Sequence, residues 1–250
     1  MPLTLPQIDR YSRHILLPEV GSKGQGALLK AKVLYIGAGG LGCPTLQYLA
    51  ASGVGTLGIM DDDVVEASNL ARQILYTEQD IGKQKAVVAA EKLQALNPDV
   101  RCIPYPTRFS EERAVLLNEY DIIADGSDNF ATRLLLGRLC YTHKKTLVSA
   151  AVTGFGIQLM TFKPYLNNEY PCYQCLYGAT PAEANTGNCA ENGVLSPVAG
   201  VAGTLQATAI IQEILGLGEE SGKTLFTFDA LTMRGKTIEI AKDPQCAVCG

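Results

Sequence analysis

Apolar and polar positions along the chain change period several times, and each change marks an element. Residues 8 to 30 follow a helical, amphipathic repeat interrupted near Pro18 and Gly21. From Lys32 the repeat gives way to strand, helix, strand. The run "KVLYIGAGGLGCPTLQYLAASGVGTLGIMDDD" predicts a buried strand, a glycine turn, a helix ending near Gly53 and a second strand whose C-terminal end is Asp61. A helix over about Lys83 to Leu96 follows, closed by Asn97 and Pro98. "VRCIPYP" predicts a third strand, "EERAVLLNEY" a helix, "DIIAD" a fourth strand, "NFATRLLLGRLCYTH" a helix and "TLVSAAV" a fifth strand.

Strands alternating with helices specify an α/β fold with a doubly wound, mostly parallel Rossmann-like sheet. The character changes from Thr153, where "GIQLMTF" and "TLFTFDALTMRGKTIEIA" predict antiparallel strands that continue the sheet. A Gly-, Asn- and Pro-rich loop covers Tyr165 to Asn192. Gly193 to Gln212 is uncharged and long enough to span a bilayer, yet it carries Ser196, Pro197, Thr204, Gln206, Thr208 and three glycines. It reads as a buried helix with Ser196 as N-cap, Pro197 in the first turn and Gly216 after the end. Residues 1–30 then form an N-terminal helical segment, 31–152 the Rossmann-like region, and 153–250 an antiparallel region of the same domain.

Composition narrows the class. The 250 residues are 47% apolar and 18% charged, enough for one large domain, or one domain with an appendage, around a buried core. With 21 Lys plus Arg against 25 Asp plus Glu, the net charge of −4 gives no general footprint for nucleic acid or an anionic membrane. Any polyanion must be held by local charges. The N-terminus "MPLTLPQIDRYSRHILL" lacks the layout of a secretory signal, so a cytoplasmic protein is expected. Eight cysteines in such a chain argue against a disulfide framework and for metal binding or reactivity.

Gly37, Gly39 and Gly42 satisfy G-x-G-x-x-G between a strand and a helix, with Asp61 downstream. Glycine there permits a tight turn and close approach of phosphate or ribose to a helix N-terminus, so a nucleotide site is predicted; the plainer reading is a well-packed turn. A dinucleotide cofactor carries only a pyrophosphate, which the turn and helix dipole satisfy without a cluster of cations. The following segment, "NLARQILYTEQDIGKQKA", nevertheless supplies Asn69, Arg72, Lys83 and Lys85. Lys83 and Lys85 fall in the first turn of their predicted helix, where the macrodipole repels a cation. A triphosphate would compensate, and Arg72 offers a planar fork suited to phosphate oxygens. Lys83 is read as a solvated side chain; Lys85 precedes an apolar helix and is retained as a candidate.

A second group converges from "DIIADGSDN", which puts Asp125 and Asp128 beyond a strand's C-terminal end, where open parallel sheets bind ligands. Ser127, Asp128 or Asn129 could simply cap the next helix. Beside a triphosphate, Asp128 becomes a natural Mg²⁺ ligand, since that ion favours one or two carboxylates plus phosphate oxygens. The mixture suits Mg-ATP better than NAD. Cys172 with Cys175 and Cys246 with Cys249 form two C-x-x-C pairs that complete a tetrahedral thiolate site typical of structural zinc, rather than a redox dithiol. Cys43, Cys102 and Cys140 sit in apolar contexts and read as core. Cys189, in the polar loop "NTGNCAENGVLSP", is open to both a reactive and an inert reading.

Taken together, "RYSRHILL", "GAGGLGCPTLQYLAASGVG", "DDDVVEASNLARQILY", "IGKQKA", "DGSDNFATR", "PCYQCL", "NCAENGVLSPVAGVAGTLQA" and "CAVCG" make the chain resemble the MoeB/ThiF family of adenylyltransferases, bacterial relatives of the ubiquitin-activating enzymes, almost end to end. The resemblance implies an enzyme that uses Mg-ATP to adenylate the C-terminal glycine carboxylate of a ubiquitin-like sulfur-carrier protein ending in Gly-Gly, for sulfur transfer in molybdopterin or thiamine biosynthesis. Carried across by position, Gly40 approaches the nucleotide, Asp61 holds the ribose hydroxyls, and Ser68, Asn69, Arg72 and Lys85 surround the phosphates. Asp128 binds Mg²⁺ with Asn129 beside it. Arg13 matches an arginine that reaches into the neighbouring subunit's site, which implies a homodimer with residues 1–30 contributing to it. Cys189 matches a loop cysteine that in some members takes part in sulfur transfer or a covalent carrier link. The paired cysteines match the family zinc ligands, and 153–250 becomes the zinc-binding and carrier-docking region.

The chain departs from the family at Ala71 and His14, where glutamine is common, and in "GSDN", where a cysteine and threonine often precede the aspartate. No sulfurtransferase domain follows Gly250, so sulfur is expected from a separate sulfurtransferase or donor. The residues bear on two other readings. An NAD-dependent dehydrogenase satisfies the glycine loop but leaves Arg72, Lys85 and Asp128 unexplained. An inactive scaffold half of a ubiquitin-activating heterodimer would lack a complete ATP site, whereas every expected residue is present here.

Overall fold

The computed structural model describes residues 2–178, 193–217 and 221–250. The chain enters through three short helices, α1 (Leu5–Arg10), α2 (Ser12–Ile15) and α3 (Gly21–Leu28), in place of one interrupted helix. Thr4 starts α1 with a capping box shared with Gln7. The alternating part then runs β1 (Lys32–Ile36), α4 (Gly42–Ala51), β2 (Thr56–Met60), α5 (Lys85–Leu96), β3 (Arg101–Tyr105), a 3-10 helix (Glu111–Glu119), β4 (Ile122–Asp125), α6 (Phe130–Thr142) and β5 (Thr146–Thr153). After it come β6 (Gly156–Phe162), α7 (Tyr173–Tyr177), α8 (Ser196–Leu215), β7 (Thr224–Asp229) and β8 (Arg234–Glu239).

All eight strands form one sheet in the order β3-β2-β1-β4-β5-β6-β7-β8. The first five are parallel, and β5 through β8 pair antiparallel. The α/β class and the change of strand direction after β5 therefore agree with the sequence. The order reverses between β1 and β4, so a crevice opens beyond their C-terminal ends, where ligands bind in such sheets.

Burial explains the continuous apolar run of β1. Val33 and Tyr35 point into a core with Leu46, Leu49, Leu93 and Ile210, under α4, α5 and α8. Leu34 and Ile36 point into the opposite core with Ile123, Leu136, Leu147 and Tyr173. A strand covered on both faces loses the polar alternation of a half-exposed one. Helix α8 is long and apolar enough to cross a membrane by length alone, but it packs against α3, α4, β5 and β6. At Gly203 the backbones of α8 and α4 approach so closely that a Cβ would stand 2.4 Å from Pro44 Cγ and 2.7 Å from the Leu41 carbonyl oxygen.

Two local expectations are corrected and a third is refined. Helix α5 begins at Lys85 rather than Lys83, because Gln84 is extended and bridges Val64. Lys83 lies before the helix and is 3.6 Å from Asp80. The helix expected over "EERAVLLNEY" is present, shortened to Glu111–Glu119 and wound as 3-10. Ser196 is the first residue inside α8 and Leu195 is its N-cap; the Ser196 hydroxyl donates to the Ala71 carbonyl instead of capping the helix. Gly216 ends α8 in the left-handed conformation, as the sequence indicated.

Candidate active site

The glycine turn after β1 is shaped by two needs. Gly37 has φ +95°, and a Cβ there would lie 2.9 Å from the Gly126 backbone; one at Gly42 would lie 2.2 Å from the Gly37 carbonyl oxygen. Those two glycines are required by the protein's own packing. Gly39 and Gly40 are different, since added Cβ atoms would meet nothing nearer than 3.7 Å and 3.6 Å. Their bare backbone leaves room beside the turn for a ligand to approach.

Asp61 follows β2 and folds back on this turn. Its carboxylate accepts from the Ala38 N–H at 2.6 Å and the Asp63 N–H at 2.9 Å. Burial raises its pKa, against the opposing pull of Lys85. Arg72 donates to the Ser68 carbonyl at 3.1 Å, which orients the fork over the segment carrying Ser68 and Asn69. The Oδ1 of Asn69 and Oε1 of Gln73 are buried acceptors with no partner among the described residues. Lys85 is only 5% exposed; its Nζ lies 2.9 Å from Asp63 Oδ2, while the Asp63 side chain is 65% exposed. The charge that should answer a cation at the α5 N-terminus is therefore supplied here by Asp63, which a stronger anion could displace.

From the other side of the switch point comes the turn after β4. Asp125 is fully buried and accepts from the Ser127 N–H at 2.9 Å, the Ser127 hydroxyl at 2.6 Å and the Ser149 hydroxyl at 2.7 Å. It is a structural anchor. Asp128, one residue past Ser127, is exposed and forms no ion pair among the described residues. Asn129 caps α6 by accepting from the Thr132 N–H at 2.8 Å, so the capping role falls to Asn129 and leaves the Asp128 carboxylate free.

Gly40, Asp61, Ser68, Asn69, Arg72, Lys85, Asp128 and Asn129 all line one cavity of about 720 Å³. Residues read from four separate segments thus face a common space. A second cavity, of about 580 Å³, adjoins it along the antiparallel strands. Phe130, Tyr173, Tyr177 and Phe228 give it an aromatic wall, and Arg234 and Lys236 add positive charge. The two cavities share Asp128 and Arg133.

Other candidates lie apart. Arg13 is exposed on α2 and lines neither cavity. Lys83 is a largely solvated side chain beside Asp80 that lines neither cavity, in agreement with its reading as a solvated residue. Cys189 lies outside the described residues. Cys43 and Cys140 are buried and Cys102 is half-buried; burial pushes the Cys43 thiol up to about 12 and that of Cys102 up to about 11. They are core side chains with little thiolate at neutral pH.

The sulfur atoms of Cys172, Cys175, Cys246 and Cys249 lie within 4.8 Å of one another. The Cys172–Cys246 and Cys175–Cys249 separations are both 3.5 Å and Cys172–Cys175 is 3.8 Å. Disulfide sulfurs would be about 2.05 Å apart. A tetrahedron of Zn–S bonds about 2.3 Å long has edges of about 3.8 Å. The donor set fits a zinc ion.

Sequence reasoning missed Arg133, Gln73 and the second cavity. Gln73 carried a weak signal as the polar neighbour of Arg72. Arg133 is one of two arginines in an otherwise apolar helix, where each reads as surface.

The sequence matches the ThiF family over residues 11–248. It is 43% identical over 253 residues to the sulfur carrier protein adenylyltransferase of Thermus thermophilus, covering 100% of this chain and 93% of that protein. Identity to the SAMP-activating enzyme E1 of Haloferax volcanii is 42%, covering 100% of this chain and 92% of the relative. With the adenylyltransferase and sulfurtransferase MOCS3 of Xenopus laevis it is 45%, over 99% of this chain but 54% of the larger protein. Among solved structures, the crystal structure of E. coli MccB with ATP superposes with a TM-score of 0.81 at 23% identity, covering 96% of this chain and 73% of that one, a likeness of fold.

Proposed function

The chain belongs to the ThiF family, and from that premise we propose that it is an ATP-dependent adenylyltransferase acting on a ubiquitin-like sulfur-carrier protein. It converts the carrier's C-terminal glycine carboxylate into an acyl-adenylate, for sulfur transfer in molybdopterin or thiamine biosynthesis. The observation that carries this reading is the meeting of two cavities at Asp128 and Arg133. One is polar and ringed by Asp61, Arg72 and Lys85; the other is aromatic-walled and open toward the antiparallel strands. ATP occupies the first, and a flexible peptide tail threads the second to reach it.

In the reaction a carboxylate oxygen attacks the α-phosphorus, a new O–P bond forms, the bond from the α-phosphorus to the bridging oxygen breaks, and pyrophosphate leaves with that electron pair. Two anions approach each other, so the chain's task is to hold and neutralise rather than to remove a proton. The bare turn at Gly39 and Gly40 admits the nucleotide, and Asp61 accepts from the ribose hydroxyls. Ser68, Asn69, Arg72 and Lys85 donate to phosphate oxygens, Lys85 exchanging Asp63 for phosphate. Asp128 would hold Mg²⁺, which would supply charge neutralisation on the phosphates, and Asn129 fixes the start of α6 beside it. Burying the reacting groups between two walls strengthens each of these interactions.

Three further elements complete the reading. The four paired cysteines hold zinc and fasten the C-terminal residues to the segment around α7. Arg13, exposed and away from its own cavity, reaches the cavity of a second subunit in a homodimer. Sulfur comes from a separate sulfurtransferase in the cytoplasm, with Cys189 in the transfer or in a covalent link to the carrier. The test is ATP–pyrophosphate exchange, expected only when a carrier ending in Gly-Gly is present. Exchange that persists unchanged in Arg72→Ala and Asp128→Ala would overturn the assignments.

A further inference from the structure

Arg133 is a buried cation to which the chemistry above gives no task. It stands in the first turns of α6, is 8% exposed, and lines both cavities. Its Nε donates to the Ser127 carbonyl at 3.1 Å, and Nη2 donates to the same oxygen. The Nε is also 3.8 Å from Asp125 Oδ2. Two donors of a rigid fork on one carbonyl fix the orientation of that peptide as well as its distance. The next residue after that carbonyl is Asp128.

The turn is gripped from both ends. Asp125 takes the Ser127 N–H and hydroxyl, Ser149 holds the other carboxylate oxygen, and the Gly126 N–H donates to the Ile36 carbonyl at 2.9 Å. On α6 itself, one turn beyond Arg133, Gly137 lets Tyr173 pack so closely that a Cβ would lie 2.4 Å from Tyr173 Cβ. Burying a guanidinium costs several kcal/mol, and a neutral donor or water would satisfy a carbonyl more cheaply. The charge itself answers the buried Asp125 carboxylate; what a compact cation would not supply is the planar fork, which fixes the geometry of the carbonyl it grips.

We propose, on the reading above, that Arg133 is a positioning residue: clamped between the Asp125 carboxylate and the Ser127 carbonyl, it sets where the Asp128 carboxylate stands at the wall common to the two cavities. Arg133 acts through Asp128 and not on the reacting atoms. Groups that orient a metal-binding carboxylate without touching the ion typically alter affinity or rate about 10- to 100-fold when removed.

The experiment compares wild-type protein with Arg133→Lys, which keeps the charge but loses the fork, and with Ser149→Ala, which removes one support of Asp125. Two quantities are read: the Mg²⁺ concentration giving half-maximal carrier-dependent exchange, and the affinity for Mn²⁺ in the presence of ATP, followed by electron paramagnetic resonance without carrier. In Arg133→Lys both are expected to weaken about 10-fold or more, with carrier KM changed less than about threefold. Ser149→Ala is expected to shift them in the same direction by a smaller factor, and it carries the test if Arg133→Lys does not fold. Unchanged metal dependence in a folded Arg133→Lys, or in Ser149→Ala when that variant stands alone, overturns the inference. Loss of activity with unaltered Mn²⁺ affinity overturns it too, since that is the pattern of a purely structural role. Absence of exchange in the wild type would instead overturn the functional reading on which the inference rests.

Discussion

Replacing Lys85 by alanine separates catalysis from stability. The side chain is 5% exposed and its Nζ is 2.9 Å from Asp63 Oδ2, but the Asp63 carboxylate is mostly solvated. A pair with one solvated partner contributes about 0.5–1 kcal/mol. Removing three buried methylenes of the stem costs about 2 kcal/mol more, so the total is roughly 2.5–3 kcal/mol. For a chain of this length that is a fall in Tm of about 5–12 °C. The effect on chemistry comes in addition. A preorganised donor to the charge that develops on the phosphates accounts for about 10²- to 10³-fold in kcat. Carrier-dependent ATP–pyrophosphate exchange and a thermal melt on the same preparation measure the two effects. Asp63→Asn is the control: it removes the resting partner of Lys85 but not the cation. Exchange in that variant is expected to stay within about threefold of wild type, because the ion pair itself is weak. The reasoning is refuted if Lys85→Ala loses no more activity than its folded fraction explains. It is refuted as well if Asp63→Asn loses as much as Lys85→Ala, since the ion pair and not the phosphate contact would then be what matters.

Other consequences concern stability and metal content. Asp80 is buried, and although burial opposes its charge, Lys92 together with the Thr77 hydroxyl and N–H outweighs it and holds the carboxyl down at about 2. A folded-state pKa below the unfolded value gives stability that is complete above about pH 4 and is lost as the pH falls toward 2. Asp80→Asn should therefore cost about 1–2 kcal/mol at pH 7 in urea unfolding, and the difference from wild type should shrink across that acid window. Tyr35→Phe removes a buried hydroxyl that donates to Gln206 Oε1 at 2.6 Å; because the Thr45 hydroxyl, 3.1 Å away, is able to turn to that oxygen, the loss should be about 1–2 kcal/mol in chemical denaturation. Cys246→Ser should abolish the uptake of about one zinc per chain in elemental analysis and lower Tm by about 5–15 °C, whereas Cys43→Ser should leave metal content unchanged.

Much of the fold was legible because its strongest signals are local. The run through β1 and the glycine turn is set by burial on both faces and by the two glycines that no side chain can replace, Gly37 and Gly42. The cysteine spacing foretold a cluster that long-range folding then assembled from residues 172–175 and 246–249. Errors arose where tertiary contact overrode local pattern. Lys83 fell outside α5 because Gln84 pairs with Val64 across the loop, which no helical repeat discloses. Ser196 looked like an N-cap until its hydroxyl found the Ala71 carbonyl, 125 residues away in sequence. The nucleotide-side candidates were visible as charges without local partners. Arg133 was not, because its meaning lies in a spatial coincidence: it touches a carbonyl six positions earlier while facing two cavities built from distant strands. The aromatic cavity was hidden for the same reason, since its walls come from α6, α7, β5, β6, β7 and β8.

Adenylation of a peptide carboxylate leaves a covalent mark on the partner, and intact-mass analysis reads it. A carrier ending in Gly-Gly is mixed with the enzyme, ATP and Mg²⁺, quenched in acid, and compared with a carrier lacking the terminal glycine. We expect the full-length carrier to gain the mass of one AMP less one water, the truncated carrier to gain nothing, and pyrophosphate to appear in equal amount. ATP consumed to ADP and phosphate, or a full-length carrier whose mass is unaltered with neither AMP nor pyrophosphate formed, would contradict the proposed chemistry.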